Sequence, residues 1–292
     1  MSVRTIGILT IATLIGTPAF ASDMITQAPS AAAAPCPQAV DGVNAKIAGL
    51  GGSFANDTVA GAMGSGSAPL ACGWGVQIDG SGLSFDNRFL GSLAGHLFWR
   101  DPTIGLLGVY GSYTHWSELS GVTGYHVGPE AEWYTGRWTL RGVAGGEFGN
   151  TASGTIGSAV QTINIPTRFF DEVDLAYYAQ DNWELYAGHR YFGGENALGL
   201  GTEWGIPLHN GMMAGLFAEG LVGQNNFHGV WGGVRIYFGQ HDKTLIRRHR
   251  EDDPTSWATG PTGAAGVGGT GSNTSTTTPP PCSPYPACLP TD

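Results

Sequence analysis

Between residues 43 and 238, apolar and polar residues alternate with a period of two. Successive side chains of a β-strand point to opposite faces, so this alternation predicts strands with one apolar and one polar face. In segment 137–148, Trp138 and Leu140 share one face, whereas Arg141 and Glu147 lie on the other. The pattern predicts about twelve strands, near 43–55, 58–69, 73–84, 88–100, 104–116, 122–134, 137–148, 169–180, 183–193, 197–208, 211–222 and 226–238.

Turn-forming pairs separate alternate strands, at Asp101-Pro102, Thr135-Gly136, Asp181-Asn182 and His209-Asn210. The connections between these turns are generally longer, and the longest is 150–168. Short turns at one end and longer loops at the other are typical of a transmembrane barrel. The long connection is apolar enough either to fold into the barrel or to extend outward as a hairpin.

Strands of this length match the roughly 9–11 residues that a tilted strand needs to cross lipid. Charged residues are 12% of the chain, against about 25% in soluble domains, and there are 48 glycines. Backbone groups in lipid must pair within the protein, so the sheet must close. We therefore predict an all-β fold, a transmembrane antiparallel up-and-down barrel with a disordered C-terminal tail. Because segment 58–69 has little aromatic weight, a ten-stranded barrel with an N-terminal plug is the alternative.

The flanking segments differ in composition from the barrel. Arg4, an apolar run and Ala19-Phe20-Ala21 indicate a cleaved signal peptide over residues 1–21, since the run is too short to span a membrane comfortably. Residues 22–42 are predicted to be a linker, 43–239 the barrel, and 240–292 a periplasmic tail rich in Pro, Gly and Thr, disordered from Asp253. These features predict the outer membrane of a Gram-negative bacterium.

The chain contains four cysteines, and an even number in an exported chain suggests disulfides. Three pairings are open; we favour Cys36 with Cys72 and Cys282 with Cys288, because each pair closes a local loop. Their spacing matches no zinc signature, so no metal or cofactor is predicted. The net charge of −10 argues against nucleic acid as a partner.

Three segments resemble a family of uncharacterised outer-membrane barrel proteins from alphaproteobacteria. They are Gly95-His96-Leu97-Phe98-Trp99-Arg100-Asp101-Pro102, Ala187-Gly188-His189-Arg190-Tyr191, and Tyr237-Phe238-Gly239 followed by the run from Lys243 to Pro254. The order of segments is similar from Val43 to Pro254. The resemblance implies the barrel and the outer-membrane location, and it implies no activity.

The polar face carries nine carboxylates and four arginines, together with two histidines. Such charges either form a structural network that fills the interior or line a narrow aqueous path that favours cations and small neutral solutes. We predict a small porin-like channel, with a non-conducting structural or surface barrel as the alternative. The predicted lining residues are Asp79, Arg100, Glu130, Glu132, Arg141, Glu147, Glu172, Asp174, Glu184, Arg190, Glu203, Glu219 and Arg235, with His96 and His126.

A barrel hydrolase acting on lipid is a less favoured alternative. A serine hydrolase needs Ser, His and an acid within hydrogen-bonding reach. His115 and Ser117 share the lipid-facing parity, and Ser112 lies on the opposite face. The acids Glu130 and Glu132 could do acid–base chemistry, but such pairs more often bridge an arginine. No catalytic residue is therefore predicted, and the chain is not expected to be an enzyme.

The segment from Lys243 to Asp253 is basic and then acidic, and it could form a short helix. One interpretation is a solvated cap below the barrel. The other is a contact with peptidoglycan or another envelope protein. Besides lipid, the expected partners are therefore small solutes or cations and, through the tail, the cell envelope.

Overall fold

The computed structural model describes residues 36–156, 159–224, 227–257 and 274–277. The predicted signal peptide, most of the predicted linker, and both Cys282 and Cys288 lie outside these residues. Within the described residues, no helix is long and apolar enough to cross a membrane.

Twelve antiparallel strands form a closed barrel in which each strand pairs with its neighbours in sequence, and the last strand pairs with the first. This confirms the fold predicted from the alternation and excludes the ten-stranded alternative. The barrel strands are β1 (Asn44–Phe54), β2 (Asp57–Ala71), β3 (Trp74–Phe85), β4 (Arg88–Asp101), β5 (Gly105–Trp116), β6 (Val122–Thr135), β7 (Trp138–Gly149), β10 (Arg168–Gln180), β11 (Trp183–Phe192), β12 (Glu195–Pro207), β13 (Met212–Gly223) and β14 (His228–Phe238).

The seam between β1 and β14 depends on glycines. A Cβ atom on Gly52 would lie 2.2 Å from the carbonyl oxygen of Val230, and one on Gly233 would lie 1.9 Å from that of Gly49. Any larger side chain at these positions would push the two strands apart. The glycines that weaken the strand pattern in the sequence thus permit closure.

The two ends of the barrel differ. At the end that we call the termini end, β1 begins, β14 ends, and the connections are 72–73, 102–104, 136–137, 181–182 and 208–211. The opposite end, called the hairpin end, has connections 55–56, 86–87, 117–121, 150–167, 193–194 and 224–227. Three of these are two-residue turns, so the contrast in loop length is smaller than the sequence predicts.

The longest connection contains a hairpin of two further strands, β8 (Thr151–Ile156) and β9 (Ala159–Asn164). A short strand from the C-terminal region, β15 (Thr274–Thr277), pairs with β9 in antiparallel register. The hairpin end therefore has a small three-stranded sheet of its own.

The outer wall of the barrel is apolar, with an aromatic belt near each end. Leucine, isoleucine and valine side chains such as Leu93, Val127 and Leu200 are exposed between the belts. Aromatic girdles flanking an apolar band are typical of barrels that span a membrane. The belt at the termini end contains Trp74, Trp99, Trp133, Trp138, Trp183 and Trp204, and the belt at the hairpin end contains Phe89, Tyr113, Tyr125, Phe148 and Phe169.

The chain on both sides of the barrel strands packs into the termini end. Before β1, Cys36 forms a disulfide with Cys72, with the Cα atoms 5.6 Å apart. This is the first of the two favoured pairings, and its spacing is ordinary for a disulfide. Ala39 and Val40 then pack, fully buried, against Phe98. This part of the predicted linker is therefore part of the fold.

After β14 the chain forms the predicted short helix, α1 (Leu245–Glu251). Two expectations for this region need correction. The helix is not a solvated cap, because Leu245 and Arg248 are buried. Residues 253–257 were assigned to the disordered tail, yet Asp253 and Trp257 are 4% and 1% exposed. Their burial comes from contacts with the barrel interior.

Candidate functional site

All thirteen predicted lining residues lie on the inward face of the barrel. Eleven of them are buried, whereas the side chains of Glu219 and Arg235 are 26% and 14% exposed. Position on the strand therefore puts these charged side chains inside the barrel. Whether they conduct ions is a separate question, which depends on how they pair and on what else occupies the lumen.

Two arginines hold three carboxylates in one charged cluster inside the barrel. Arg141 contacts Asp174 at 3.4 Å and Glu184 at 3.0 Å. Arg190 contacts the other oxygen of Asp174 at 2.6 Å and Glu172 at 3.0 Å. The planar guanidinium group suits such bridging, since it presents several donors in fixed directions. The cluster joins β7, β10 and β11, so it fixes their register from inside the barrel.

A second cluster lies across β12, β13 and β14. Arg235 forms an ion pair with Glu203, and the Tyr237 hydroxyl donates to the same carboxylate at 2.7 Å. The indole of Trp231 donates to Glu219 at 3.1 Å. As in the first cluster, the carboxylates are satisfied by neighbouring side chains on adjacent strands.

His96 lies between two buried acids. Its Nε2 atom is 2.9 Å from Asp79, and its Nδ1 atom is 2.8 Å from Glu130. An imidazolium ion can donate to both carboxylates at once, which compensates their charge. Gln77 donates to Asp79 at 2.8 Å, so the cluster extends over β3, β4 and β6.

A fourth group of polar side chains joins Ser112, His126 and Glu147, a contact that was not predicted from the sequence. The Ser112 hydroxyl lies 3.3 Å from Nδ1 of His126, and Nε2 of His126 lies 3.1 Å from Glu147. These residues are directly opposite one another on β5, β6 and β7. The order Ser, His, acid is that of a nucleophilic triad. Arg168 contacts Glu147 at 2.5 Å, which continues the row as a cross-strand ladder.

This ladder is packed rather than open. The His126 ring contacts the rings of Phe170 and Phe192 at centroid distances of 4.7 and 5.5 Å. Ser112 is 7% exposed. A substrate would need to displace these aromatic rings, so the ladder reads as a structural element. All three residues lie on the inward face of their strands, and this is visible in the sequence. Combined with the strand register, it would have predicted the ladder.

Helix α1 closes the termini end through contacts with the turns there. The amide of Leu245 donates to the Asn182 side chain at 2.9 Å, and that of Ile246 donates to the Asp181 carbonyl at 3.0 Å. Arg248 donates to the Gly211 carbonyl at 2.8 Å. The helix is thus attached to two turns of the barrel.

Residues 252–257 follow the helix and run into the lumen, and their contacts extend from the termini end to the middle of the barrel. The carbonyl of Asp252 accepts from Arg100 at 3.2 Å, one residue from the termini end of β4. Asp253 pairs with Lys46 at 2.5 Å, two residues inside β1. Trp257 reaches the middle of the barrel, as the next contacts show.

Trp257 is held at both its backbone and its side chain. Its carbonyl accepts from the Tyr110 hydroxyl at 3.0 Å, and its indole donates to Glu130 at 2.9 Å. Tyr110 and Glu130 are each five residues from the termini end of their strands. We call residues 245–257 the plug segment, because they fill this half of the lumen.

Two neighbouring acids of the plug segment, Asp252 and Asp253, have pKa values shifted in opposite directions. Lys243 contacts Asp41, Glu251 and Asp252 at 2.8, 3.2 and 2.5 Å. Burial raises the pKa of Asp252 from 3.8 to about 6, although Lys243 opposes this shift. Burial also disfavours the charged form of Asp253, but Lys46 outweighs that effect and lowers the pKa of Asp253. Only Asp252 is therefore tuned to titrate at mildly acidic pH among these acids.

A cavity of about 100 Å³ remains between the plug segment and the wall. It is lined by both arginine clusters and by residues 253–256. Because a water molecule occupies about 30 Å³ and needs polar partners, this space suits a few waters.

An apolar wall with two aromatic belts and a charged, occupied lumen define a plugged barrel of the outer-membrane type. Similar solved structures include the translocator domain of the autotransporter NalP from Neisseria meningitidis, with 14% identity over 67% of this chain and 87% of that one and a TM-score of 0.45. The β-domain of the Bordetella autotransporter BrkA is also similar, with 11% identity over 68% of this chain and 98% of that one and a TM-score of 0.40.

A Pseudomonas aeruginosa FadL homologue is also similar, with 8% identity over 68% of this chain and 89% of that one and a TM-score of 0.31. No protein-family model matches the chain, and no curated protein matches it. The aromatic belts and the apolar wall of the chain itself therefore carry the membrane assignment.

Proposed function

We propose that the chain is a Gram-negative outer-membrane barrel that is held closed by its own plug segment and conducts small cations or solutes when that segment is displaced. The termini end faces the periplasm in this proposal, because short turns are typical of that side. The observation that carries it is the depth of the plug segment, which reaches mid-barrel at Trp257.

The lining supports a preference for cations once the plug segment leaves. The nine inward carboxylates outnumber the four inward arginines and Lys46, which loses its partner Asp253 when the segment departs. A low-dielectric wall strengthens the attraction of such a lining for positive ions. The plug segment itself carries three arginines and three acids between residues 247 and 253, so its departure leaves this excess of inward carboxylates in place.

Two measurements test the proposal. The unaltered chain in planar bilayers should give rare, brief conductance steps. Lys46→Gln removes the cation that contacts Asp253, so the plug segment should undock and the steps should become frequent. Arg247→Gln is the matched control, because Arg247 is 56% exposed and contacts only Glu251 among the ion pairs of the described residues.

In the Lys46→Gln chain, the further changes Glu130→Gln and Glu132→Gln should reduce the preference for potassium over chloride. Both acids lie inside the barrel near the tip of the plug segment. If correctly folded Lys46→Gln protein gives no conductance steps, the channel proposal fails. The buried arginine clusters would then favour a structural barrel.

A further inference from the structure

Residues 36–43 precede β1 at the termini end, where they contact the plug segment. The amide of Asp41 donates to the carbonyl of Glu251, the last residue of α1, at 2.8 Å. The Asp41 carboxylate pairs with Lys243 at 2.8 Å, and Lys243 also pairs with Asp252. We call residues 36–43 the latch, because they touch the plug segment where the helix ends and the chain enters the lumen.

Arg100 joins the latch to the plug segment from the barrel wall. Its Nη1 atom donates to the carbonyl of Ala39 at 3.3 Å and to that of Asp252 at 3.2 Å. Ala39 and Val40 also pack against Phe98, whose ring lies 4.9 Å from the guanidinium of Arg100. If the latch moved away, water would reach this guanidinium and compete with the Asp252 carbonyl for it.

The disulfide between Cys36 and Cys72 fastens the end of the latch that is remote from β1. Cys72 belongs to the connection between β2 and β3, so the bond attaches the latch to a turn of the barrel. The other end of the latch continues directly into β1. A segment that is tethered at both ends loses less conformational entropy on docking than one that is tethered at a single end. The bond therefore favours the docked latch.

The disulfide is accessible, although part of the latch is buried. Cys36 and Cys72 are both exposed, whereas Ala39 and Val40 are fully buried. Thiol–disulfide exchange requires a thiolate to reach one of the two sulfur atoms. A reductant can therefore attack this bond while the barrel remains folded.

We propose that the Cys36–Cys72 bond is a site of thiol–disulfide exchange with a dithiol reductant, and that its reduction unlatches the plug segment. One thiolate of the reductant attacks a sulfur atom of the bond and forms a mixed disulfide, which the second thiol then resolves. Two electrons and two protons pass to the cysteines, which become thiols, and the reductant becomes a disulfide. The inference rests on the proposed function, because it names an event that releases the plug segment.

Trypsin cleavage at Arg248 measures the release, because Arg248 is 1% exposed when the plug segment is docked. The full chain carries Cys282→Ser and Cys288→Ser, so that Cys36 and Cys72 are its only cysteines. The folded barrel is compared with and without dithiothreitol. Undocking of the latch removes a hydrogen bond and an ion pair from the plug segment and its approach, so dithiothreitol should accelerate cleavage about tenfold to a hundredfold.

Two controls isolate the effect of the latch. Cleavage at Arg88, which is 48% exposed and lies at the hairpin end, should keep the same rate when the reductant is added. A chain that also carries Cys36→Ser and Cys72→Ser should be cleaved at Arg248 at the fast rate, with or without dithiothreitol. Unheated gel mobility confirms that each barrel is folded.

Equal rates of cleavage at Arg248 in oxidised and reduced protein would overturn the proposal. Equal acceleration at Arg88 would overturn it too, because the whole barrel would then have loosened. Lys46→Gln should accelerate cleavage at Arg248 even while the disulfide is intact, so this variant shows that the assay detects undocking. The protease assay needs no conductance, so failure of the latch is distinct from failure of the channel.

Discussion

Replacing Trp257 by alanine should release the plug segment. The side chain is fully buried, and its indole donates to Glu130 at 2.9 Å. Truncation of a buried tryptophan costs about 3–5 kcal/mol. Nearly all of this loss falls on the docked state, because the undocked segment is solvated. The ratio of docked to undocked protein should fall by about a hundredfold to a few thousandfold.

Trypsin cleavage of the purified, folded barrel measures this shift. Arg248 is 1% exposed in the docked helix, so cleavage there requires the helix to leave the barrel. The rate of such cleavage follows the population of the open state when reclosing is fast. Trp257→Ala should accelerate it by a factor comparable to the shift in docking.

The matched control is Trp133→Ala, which makes the same chemical change on the outer wall, where Trp133 is 57% exposed. This variant should be cleaved at the rate of the unaltered chain. A Trp257→Ala barrel that is folded, as judged by its gel mobility without heating, yet is cleaved no faster than the control would refute the reasoning.

The remaining predictions concern pH, the disulfide and the charged clusters. Because the pKa of Asp252 is raised, the docked state binds more protons than the undocked state between pH 4 and pH 6, so docking should weaken as pH rises through this window. Asp252→Asn should remove this pH dependence of the rate of trypsin cleavage. Cys36→Ser opens a loop with a sequence separation of 36 residues, which should lower the free energy of unfolding by about 4 kcal/mol, measured by urea titration of gel mobility. Arg141→Met removes the cation that Asp174 and Glu184 share, and it should lower the free energy of unfolding by about 3–5 kcal/mol in the same assay. Arg137→Met removes a half-exposed ion pair and should lower it by less than about 1 kcal/mol.

The faces of the strands could be predicted from sequence because side-chain direction depends only on position along a strand. This parity puts the thirteen charged residues on the inner face and Trp133, Trp138, Trp183 and Trp204 on the outer one, whereas Trp116 and Trp231 face inward. It could not reveal which residues meet across strands. Ser112 was considered beside His115, its neighbour in sequence, but the register pairs it with His126 on the next strand.

The plug segment could not be predicted for a different reason. Its first part is a short charged helix, and the residues that follow belong to a region of low complexity in which only Trp257 is aromatic up to Tyr285. The contact between Lys46 and Asp253 joins positions 207 residues apart. Such a contact depends on barrel closure, which creates the interior that the segment enters, so no local pattern reports it.

Photo-cross-linking from position 257 tests most directly that the chain fills its own lumen. Trp257 is replaced by the photoreactive aromatic amino acid p-benzoylphenylalanine in the full chain, and the cross-linked peptides are identified by mass spectrometry after irradiation of outer-membrane preparations. The structure predicts intramolecular products on β5 and β6, around Tyr110 and Glu130. Cross-links to other envelope proteins, with none to these two strands, would contradict the account.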